Sequence, residues 1–204
     1  MIYYLAVGTV LGLSAGLSPG PLLTLLISET LRRGVRSGVK VALAPIVTDL
    51  PIILLTLLLL SKWPGFHSIL GVISLAGGCF ILMMGCDSIR AKGIEVHDRV
   101  SGPGSLAKGV LANALNPHPY LFWFTVGAPT MARAMSLNVG ALLAFVIGFY
   151  TFLVGSKIML ALLVGRSKSL LNGRGYRYTM RFLGVVLLFF AFVLFRDGLK
   201  LLGL

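Results

Sequence analysis

The chain has 204 residues, of which 57% are hydrophobic, and its mean hydropathy of +0.95 is far above that of ordinary soluble domains. In a soluble protein, the formal net charge of +12 would suggest a nucleic-acid partner. Here nearly all the charges lie between long apolar runs, which excludes nucleic acid as the partner and predicts a lipid bilayer instead.

Six apolar segments follow one another along the chain. Each has the length of about 20 residues that a helix needs to cross the hydrocarbon core. The sequence therefore predicts an all-α polytopic membrane protein, with one transmembrane domain over residues 1–204 and six spanning helices. The six segments cover residues 3–28, 41–60, 68–89, 109–131, 137–165 and 182–202.

Lysine and arginine are concentrated in three alternate connections between these segments. Thirteen of the 18 lie in residues 32–40, 90–108 and 166–181, whereas the opposite connections and the C-terminal end hold four. Lys and Arg accumulate on the cytoplasmic side of membrane proteins. We therefore expect these three connections in the cytoplasm and both termini outside.

Two of the apolar segments contain a Pro-x-Pro motif that should break a helix. Proline lacks an N–H, and its ring clashes with the preceding turn. Broken backbone at membrane depth is tolerated only inside protein or against a cavity, and paired breaks in two halves of a transporter point to its binding site. The alternative is a pair of packed kinks that line nothing. The motifs are Ser18-Pro19-Gly20-Pro21 and Asn116-Pro117-His118-Pro119.

The two motifs also indicate an internal repeat. Their prolines are offset by 98 residues, and one motif lies in each of the halves 1–100 and 101–204. A unit of three spans that is repeated within one chain must reverse its orientation. We therefore predict two inverted three-helix repeats, in which helices 1 and 4 are broken.

Small residues recur at fixed intervals within three of the segments. Such stripes let helix backbones approach closely in a membrane, where lipid supplies no hydrophobic driving force. We interpret them as packing surfaces without chemistry. The first stripe is Gly8, Gly12, Gly16 and Gly20; the second is Gly71, Gly78 and Gly85; the third is Gly184, Ala191 and Gly198.

Asp49 lies near the middle of the second segment, between Pro45 and Pro51. A carboxylate at this depth should face a cavity, pair with a cation or stay protonated. It could bind a substrate ammonium or exchange its proton for substrate. The structural alternative is a neutral side chain bonded to a carbonyl that one of the two prolines frees.

Three further polar residues lie at membrane depth. His118 could relay protons or contact a substrate carboxylate, or it could merely satisfy broken backbone. Asn116 suits either substrate binding or capping of the second half-helix. Lys157 either extends its stem to the cytoplasmic surface or is the ionic partner of Asp49.

Other function classes fit the residues less well. Cys79 and Cys86 are seven residues apart on one helix, about 10 Å, which is too far for the disulfide of a thiol–disulfide carrier. No motif of a hydrolase or transferase lies at membrane depth, so neither an enzyme nor a cofactor is predicted. A divalent-metal exporter is the closer alternative. Asp49, Asn116 and His118 would be its metal ligands, although a set with a single carboxylate binds a metal ion weakly.

Four features occur together in the order Gly16-Leu17-Ser18-Pro19-Gly20-Pro21, a basic turn with Gly34 and Gly38, Asp49, and Asn116-Pro117. Over essentially its whole length the chain thereby resembles the LysE/RhtB family of amino-acid exporters. The resemblance implies a secondary transporter that uses the proton-motive force to export amino acids or related metabolites across the inner membrane. His118 and Pro119 stand where that family usually has a lysine and a small residue, so the substrate's identity is not implied.

The expected partners are therefore an amino acid, protons and the lipid bilayer, and a homo-oligomer is compatible with the sequence. If the repeat is inverted, the two breaks face each other near the midplane. Half-helix N-termini would then present free N–H groups to a substrate carboxylate, while Asp49 binds the ammonium. This arrangement favours a zwitterion over a simple cation or anion.

Overall fold

The computed structural model describes residues 1–59, 66–90, 104–166 and 173–203. In these ranges the regular structure is entirely helical, with one π-helical turn between α7 and α8 at Trp123–Gly127. The α-helices are α1 (Ile2–Leu17), α2 (Pro21–Arg33), α3 (Val35–Ala42), α4 (Ala44–Leu59), α5 (Phe66–Ile89), α6 (Ser105–Ala114), α7 (Pro117–Phe122), α8 (Ala128–Leu137), α9 (Val139–Arg166) and α10 (Gly173–Leu202).

Long apolar helices make the chain an all-α polytopic membrane protein. Within the described ranges, four stretches are long and apolar enough to cross a membrane, and the bent pair α1 and α2 brings the number to five. The predicted segment 109–131 is divided among α6, α7, the π-helical turn and α8, so no single long helix covers it. The four stretches are Val35–Leu54, Gly71–Ile89, Val139–Arg166 and Arg177–Leu202.

Both predicted helix breaks are confirmed. Helix α1 ends at Leu17, α2 begins with Pro21, and the two helices bend by 62°. Helix α6 ends at Ala114, and α7 begins with Pro117. In each case proline occupies the first helical position, where its missing N–H costs no hydrogen bond.

The first glycine stripe packs α1 against α9. A Cβ atom at Gly8 or Gly12 would overlap the backbone carbonyl of Phe145 or Phe149 on α9. Residue numbers at the contacts rise together on the two helices, so α1 and α9 run parallel. Gly20 was wrongly included in the stripe: no atom lies within 4 Å of its Cβ position, because it forms the N-cap of α2.

The other two stripes pack α5 against α10, as predicted. A Cβ atom at Gly71 would lie 3.0 Å from Gly198 O, and one at Gly85 would lie 3.1 Å from Gly184 O. Residue numbers rise on one helix as they fall on the other, so the pair is antiparallel. The hydroxyl of Ser74 donates a 2.7 Å hydrogen bond to Leu194 O across the same contact.

Helices α2, α5 and α9 end at the same side of the bundle. The hydroxyls of Ser28 and Ser88 lie 3.5 Å apart, and Gly165 near the end of α9 packs against Val35. These ends border the three connections rich in lysine and arginine, so we call this the Lys/Arg-rich side. Residues 91–103 and 167–172 of those connections lie outside the described ranges.

A matched pair of glycines tests the α1–α9 contact. Gly12→Ala should lower the free energy of unfolding by about 1–3 kcal/mol, because the new methyl group overlaps the carbonyl of Phe149. Gly155→Ala, at an exposed position of α9 with no atom within 4 Å, should stabilise by about 0.5–1 kcal/mol. Thermal unfolding in detergent measures both changes. Equal shifts in the two variants would contradict the close approach.

Candidate functional site

A cavity of about 520 Å³ lies between the two helix breaks. It is lined by α1, α2, α4, α6, α7, α9 and α10, so every apolar segment except the third contributes to its wall. Of the residues predicted for the site, Pro117 alone does not reach the wall, because it is buried as the first residue of α7. The others that line it are Ser18, Pro19, Gly20, Pro21, Asp49, Asn116, His118, Pro119 and Lys157.

Asp49 is buried in the wall of the cavity, with 4% of its surface exposed. Its carboxylate accepts hydrogen bonds from the hydroxyl of Tyr150 on α9 (3.2 Å) and from Nδ2 of Asn113 on α6 (3.4 Å). The Asn113 amide also donates to Thr48 Oγ1 at 2.6 Å. The bonds from Tyr150 and Asn113 come from other helices, α9 and α6, so Asp49 connects three helices at the cavity wall.

A cluster of aromatic side chains packs next to the carboxylate of Asp49. Trp123 is buried beside Asp49, and its ring packs edge-to-face on Phe149 with centroids 5.4 Å apart. Phe122 stacks on Phe149 at 5.3 Å, and Trp123 also stacks on Tyr150 at 6.4 Å. Interlocked rings have few alternative packings. They therefore hold the Tyr150 hydroxyl in place against Asp49.

Lys157 lies against the broken end of α1. The side chain is 3% exposed, and its Nζ donates to Gly16 O at 2.8 Å and to Ala15 O at 3.5 Å. Ala15 O lacks a helical partner because Pro19 has no N–H. A cation at a helix C-terminus is also favoured by the helix dipole. The snorkelling interpretation is therefore wrong: the ammonium bonds α1, and it also lies close enough to Asp49 for electrostatic attraction.

Side chains also satisfy the backbone at the second break. The hydroxyl of Tyr120 donates to Ala114 O at 2.8 Å, at the end of α6. The buried Asn116 caps α7, because its Oδ1 accepts the backbone N–H of His118 at 3.1 Å. Pro117 and Pro119 carry no N–H. The first turn of α7 thus presents no free N–H, and the expectation of a donor site there is wrong.

The imidazole of His118 does not serve the broken backbone. Its side chain is 60% exposed, and Nε2 lies 3.8 Å from Oδ2 of Asp197 on α10. Only the backbone N–H of this residue meets Asn116. His118 therefore lines the cavity as an accessible group with an acidic neighbour.

Sequence reasoning missed several polar neighbours of the site. Asn113 lies three residues before Asn116, on the other side of the break, and Tyr150 precedes Lys157 by seven residues on the same face of α9. Asp197 and Glu29 lie within or beside apolar segments, where an acidic residue is itself a signal. The sequence positions of these residues could thus have marked them as candidates, but the sequence does not show which groups they contact.

Two alternatives find no structural support. Cys79 and Cys86 are both free thiols on α5, as their spacing predicted. In the part of the chain that the structure describes, no three His, Cys, Asp or Glu side chains are grouped closely enough to hold a metal ion. The cavity instead presents one carboxylate, one ammonium, the imidazole of His118, and amide and hydroxyl groups on a largely apolar wall.

Replacing Lys157 tests its bonds to α1. Lys157→Met should lower the free energy of unfolding by about 1–3 kcal/mol, because it leaves buried carbonyl groups without a donor. Lys200→Met, at an exposed position of α10, removes the same charge and should have little effect. Thermal unfolding in detergent compares the two. If both variants unfold alike, the bonds to Gly16 and Ala15 do not stabilise the break.

Comparison with known proteins agrees with the geometry. Residues 13–198 match the family of LysE type translocators, so the match includes both breaks, Asp49 and Lys157. No curated protein and no solved structure gives a significant match to the chain. The chain therefore belongs to the LysE type translocator family, and it is a multi-pass membrane transporter.

Proposed function

We propose that the protein exports amino acids or related small zwitterionic metabolites across the cytoplasmic membrane, in exchange for protons. The observation that carries the proposal is the cavity between the two breaks, which holds one buried carboxylate, Asp49, and one buried ammonium, Lys157. Its volume of about 520 Å³ accommodates a small metabolite. A zwitterion matches both charges at once.

The substrate ammonium binds at Asp49. Tyr150 and Asn113 each donate one hydrogen bond to this carboxylate, which fixes its orientation and leaves further acceptor positions on both oxygens. Trp123 lies beside it and can donate its indole N–H to the same carboxylate, which adds a third fixed donor. This end of the cavity therefore favours a cationic group over a neutral one.

The substrate carboxylate binds at the first break rather than at both. Helix α2 begins at Pro21 without a side-chain cap, so the N–H groups of Leu22 and Leu23 have no acceptor within the helix. Lys157 bonds two carbonyls of α1, which leaves one of the three N–H groups of its ammonium for the substrate carboxylate. The first turn of α7, in contrast, has no free N–H.

Asp49 couples export to protons in this proposal. A carboxylate that holds a substrate ammonium is ionised, and protonation removes the charge that holds the substrate. Proton entry from outside thus releases substrate, and proton loss to the cytoplasm prepares the site for the next molecule. The buried position of Asp49 ensures that it exchanges these partners only through the cavity.

We also propose that six spans form two inverted repeats, with α6, α7, the π-helical turn and α8 together as the fourth span. Reciprocal packing supports this arrangement. Helix α1 packs against α9, and α4 packs against α6 and α7, so the first span of each half contacts the second span of the other. The third spans, α5 and α10, pack against each other. A two-fold axis between halves requires these pairings.

Export measurements test the role of Asp49. In cells without their own amino-acid exporters, expression of the protein should enrich one or more amino acids in the medium. Asp49→Asn should lower this export about tenfold or more, since loss of a hydrogen bond to a charged group costs roughly 1.5–3 kcal/mol. Asp87→Asn, at an exposed position near the end of α5, should export normally.

The result can contradict the proposal in two ways. Wild-type export by Asp49→Asn over a range of pH would show that the carboxylate is structural. Unchanged amino acids in the medium, together with altered resistance to a divalent metal, would favour metal efflux instead.

A pair of exposed arginines tests the orientation. In a variant without Cys79 and Cys86, Arg36→Cys lies on the Lys/Arg-rich side, and Arg133→Cys lies near the C-terminal end of α8. An impermeant maleimide should label Arg133→Cys in intact spheroplasts and Arg36→Cys only in inverted vesicles. The reverse pattern would overturn the assignment of the Lys/Arg-rich side to the cytoplasm.

A further inference from the structure

Glu29 is a buried carboxylate that the proposed binding site does not use. It lies one turn before the end of α2, is 1% exposed and does not line the cavity. A carboxylate is stable in such surroundings only when charged and polar groups replace its hydration. The groups that bond Glu29 therefore have to account for the stability of a buried carboxylate at this position.

The partners come mainly from α6. The hydroxyl of Ser105 donates to Oε2 of Glu29 at 2.6 Å, and Nζ of Lys108 donates to Oε1 at 2.9 Å. Ser105 is buried, and the side chain of Lys108 is mostly so. Both carboxylate oxygens are thus held by side chains of the first turn of α6. The N-terminal end of this helix, where the dipole is positive, favours the negative charge further.

Arg33 makes a contact of a different kind. Its Nε lies 3.6 Å from Oε2 of Glu29, but it is on the same helix, four residues further along, and is partly exposed. This pair stabilises α2 alone. The bonds to Ser105 and Lys108 join α2 to α6, and hence the half of the chain before residue 100 to the half after it.

The contact lies between the cavity and the Lys/Arg-rich side. Helix α2 lines the cavity at its first residues, Pro21 and Leu22, and α6 lines it near its end, at Asn113. Glu29 and Ser105 lie at the opposite ends of these helices, on the Lys/Arg-rich side. Between the two levels, Gly109 of α6 packs against Ala44, with its Cβ position 3.0 Å from the Ala44 Cβ. Leu25 and Leu26 of α2 are fully buried in the same core cluster as Ala44 and Ala112, so protein fills the space between the cavity and the Glu29 contact.

We propose that the bonds from Ser105 and Lys108 to Glu29 form a gate that shuts the cavity from the Lys/Arg-rich side and must separate in each transport cycle. A transporter with one central site has to open it to the two sides in turn. The ends of α2 and α6 would part as their cavity ends rearrange around substrate. The inference takes the cavity to be the transport site, but it depends on no particular substrate.

Cysteine labelling tests the gate without any transport assay. In a variant lacking Cys79 and Cys86, Val193→Cys places a reporter thiol on the cavity wall formed by α10, away from the gate. An impermeant maleimide is applied from the Lys/Arg-rich side of sealed vesicles. Glu29→Gln should raise the labelling rate about tenfold, because it removes a hydrogen-bonded charge pair that holds the closed state.

Three controls keep the test decisive. Arg33→Gln removes the contact within α2 only and should leave the labelling rate unchanged. Ser105→Ala with Lys108→Met opens the same gate from its other half and replaces Glu29→Gln if that variant does not fold. The charge exchange Glu29→Lys with Lys108→Glu should bring the rate back toward that of the parent. Gel filtration in detergent verifies folding in each case.

The outcomes separate this inference from the proposed function. Unchanged labelling in folded Glu29→Gln, or an equal rise in Arg33→Gln, would overturn the gate whatever the protein exports. Faster labelling in the gate variants alone would support it even if no amino acid appeared in the medium. In that case the substrate proposal fails and the gate remains.

Discussion

The structure depends on one constraint: backbone groups that proline frees within the membrane need new partners. At the first break, the ammonium of Lys157 bonds the carbonyls at the end of α1. At the second break, Tyr120 bonds the last carbonyl of α6, and Asn116 caps α7. Because side chains meet these needs, both helices can stop in the middle of the protein. The space between their ends then becomes a cavity rather than a packing defect.

The same constraint makes the two breaks unequal. The first leaves N–H groups of α2 free beside a cation, whereas the prolines and Asn116 leave the first turn of α7 without a donor. The cavity is therefore polar at specific points and apolar elsewhere. An anionic group is favoured at one of them, and Asp49 favours a cationic group at another. Under the proposed function, this asymmetry gives a zwitterionic substrate one preferred orientation.

Charges outside the cavity have a separate role. Glu29 and its partners on α6 lie on the Lys/Arg-rich side, and Asp197 lies behind the cavity wall with an oxygen 3.8 Å from Nε2 of His118. A buried pair such as Glu29 and Lys108 contributes little net stability, because desolvation offsets much of the attraction, but breaking it with one partner left behind is costly. A buried charge pair of this kind therefore suits the proposed gate, which must be either firmly closed or fully open. It adds specificity for two discrete arrangements.

The sequence alone determined the class of protein, the two helix breaks and the packing stripes. These features are local, because hydropathy, proline and glycine affect the structure of residues close to them in the chain. It also singled out Asp49 and Asn116, since polar groups at membrane depth are rarely accidental. Only the tertiary structure decided their partners. The ammonium of Lys157 bonds α1 instead of reaching the surface, and Tyr150, Asn113 and Ser105 bond carboxylates 64 to 101 residues away. Such contacts depend on how helices from the two halves pack, which no local pattern encodes.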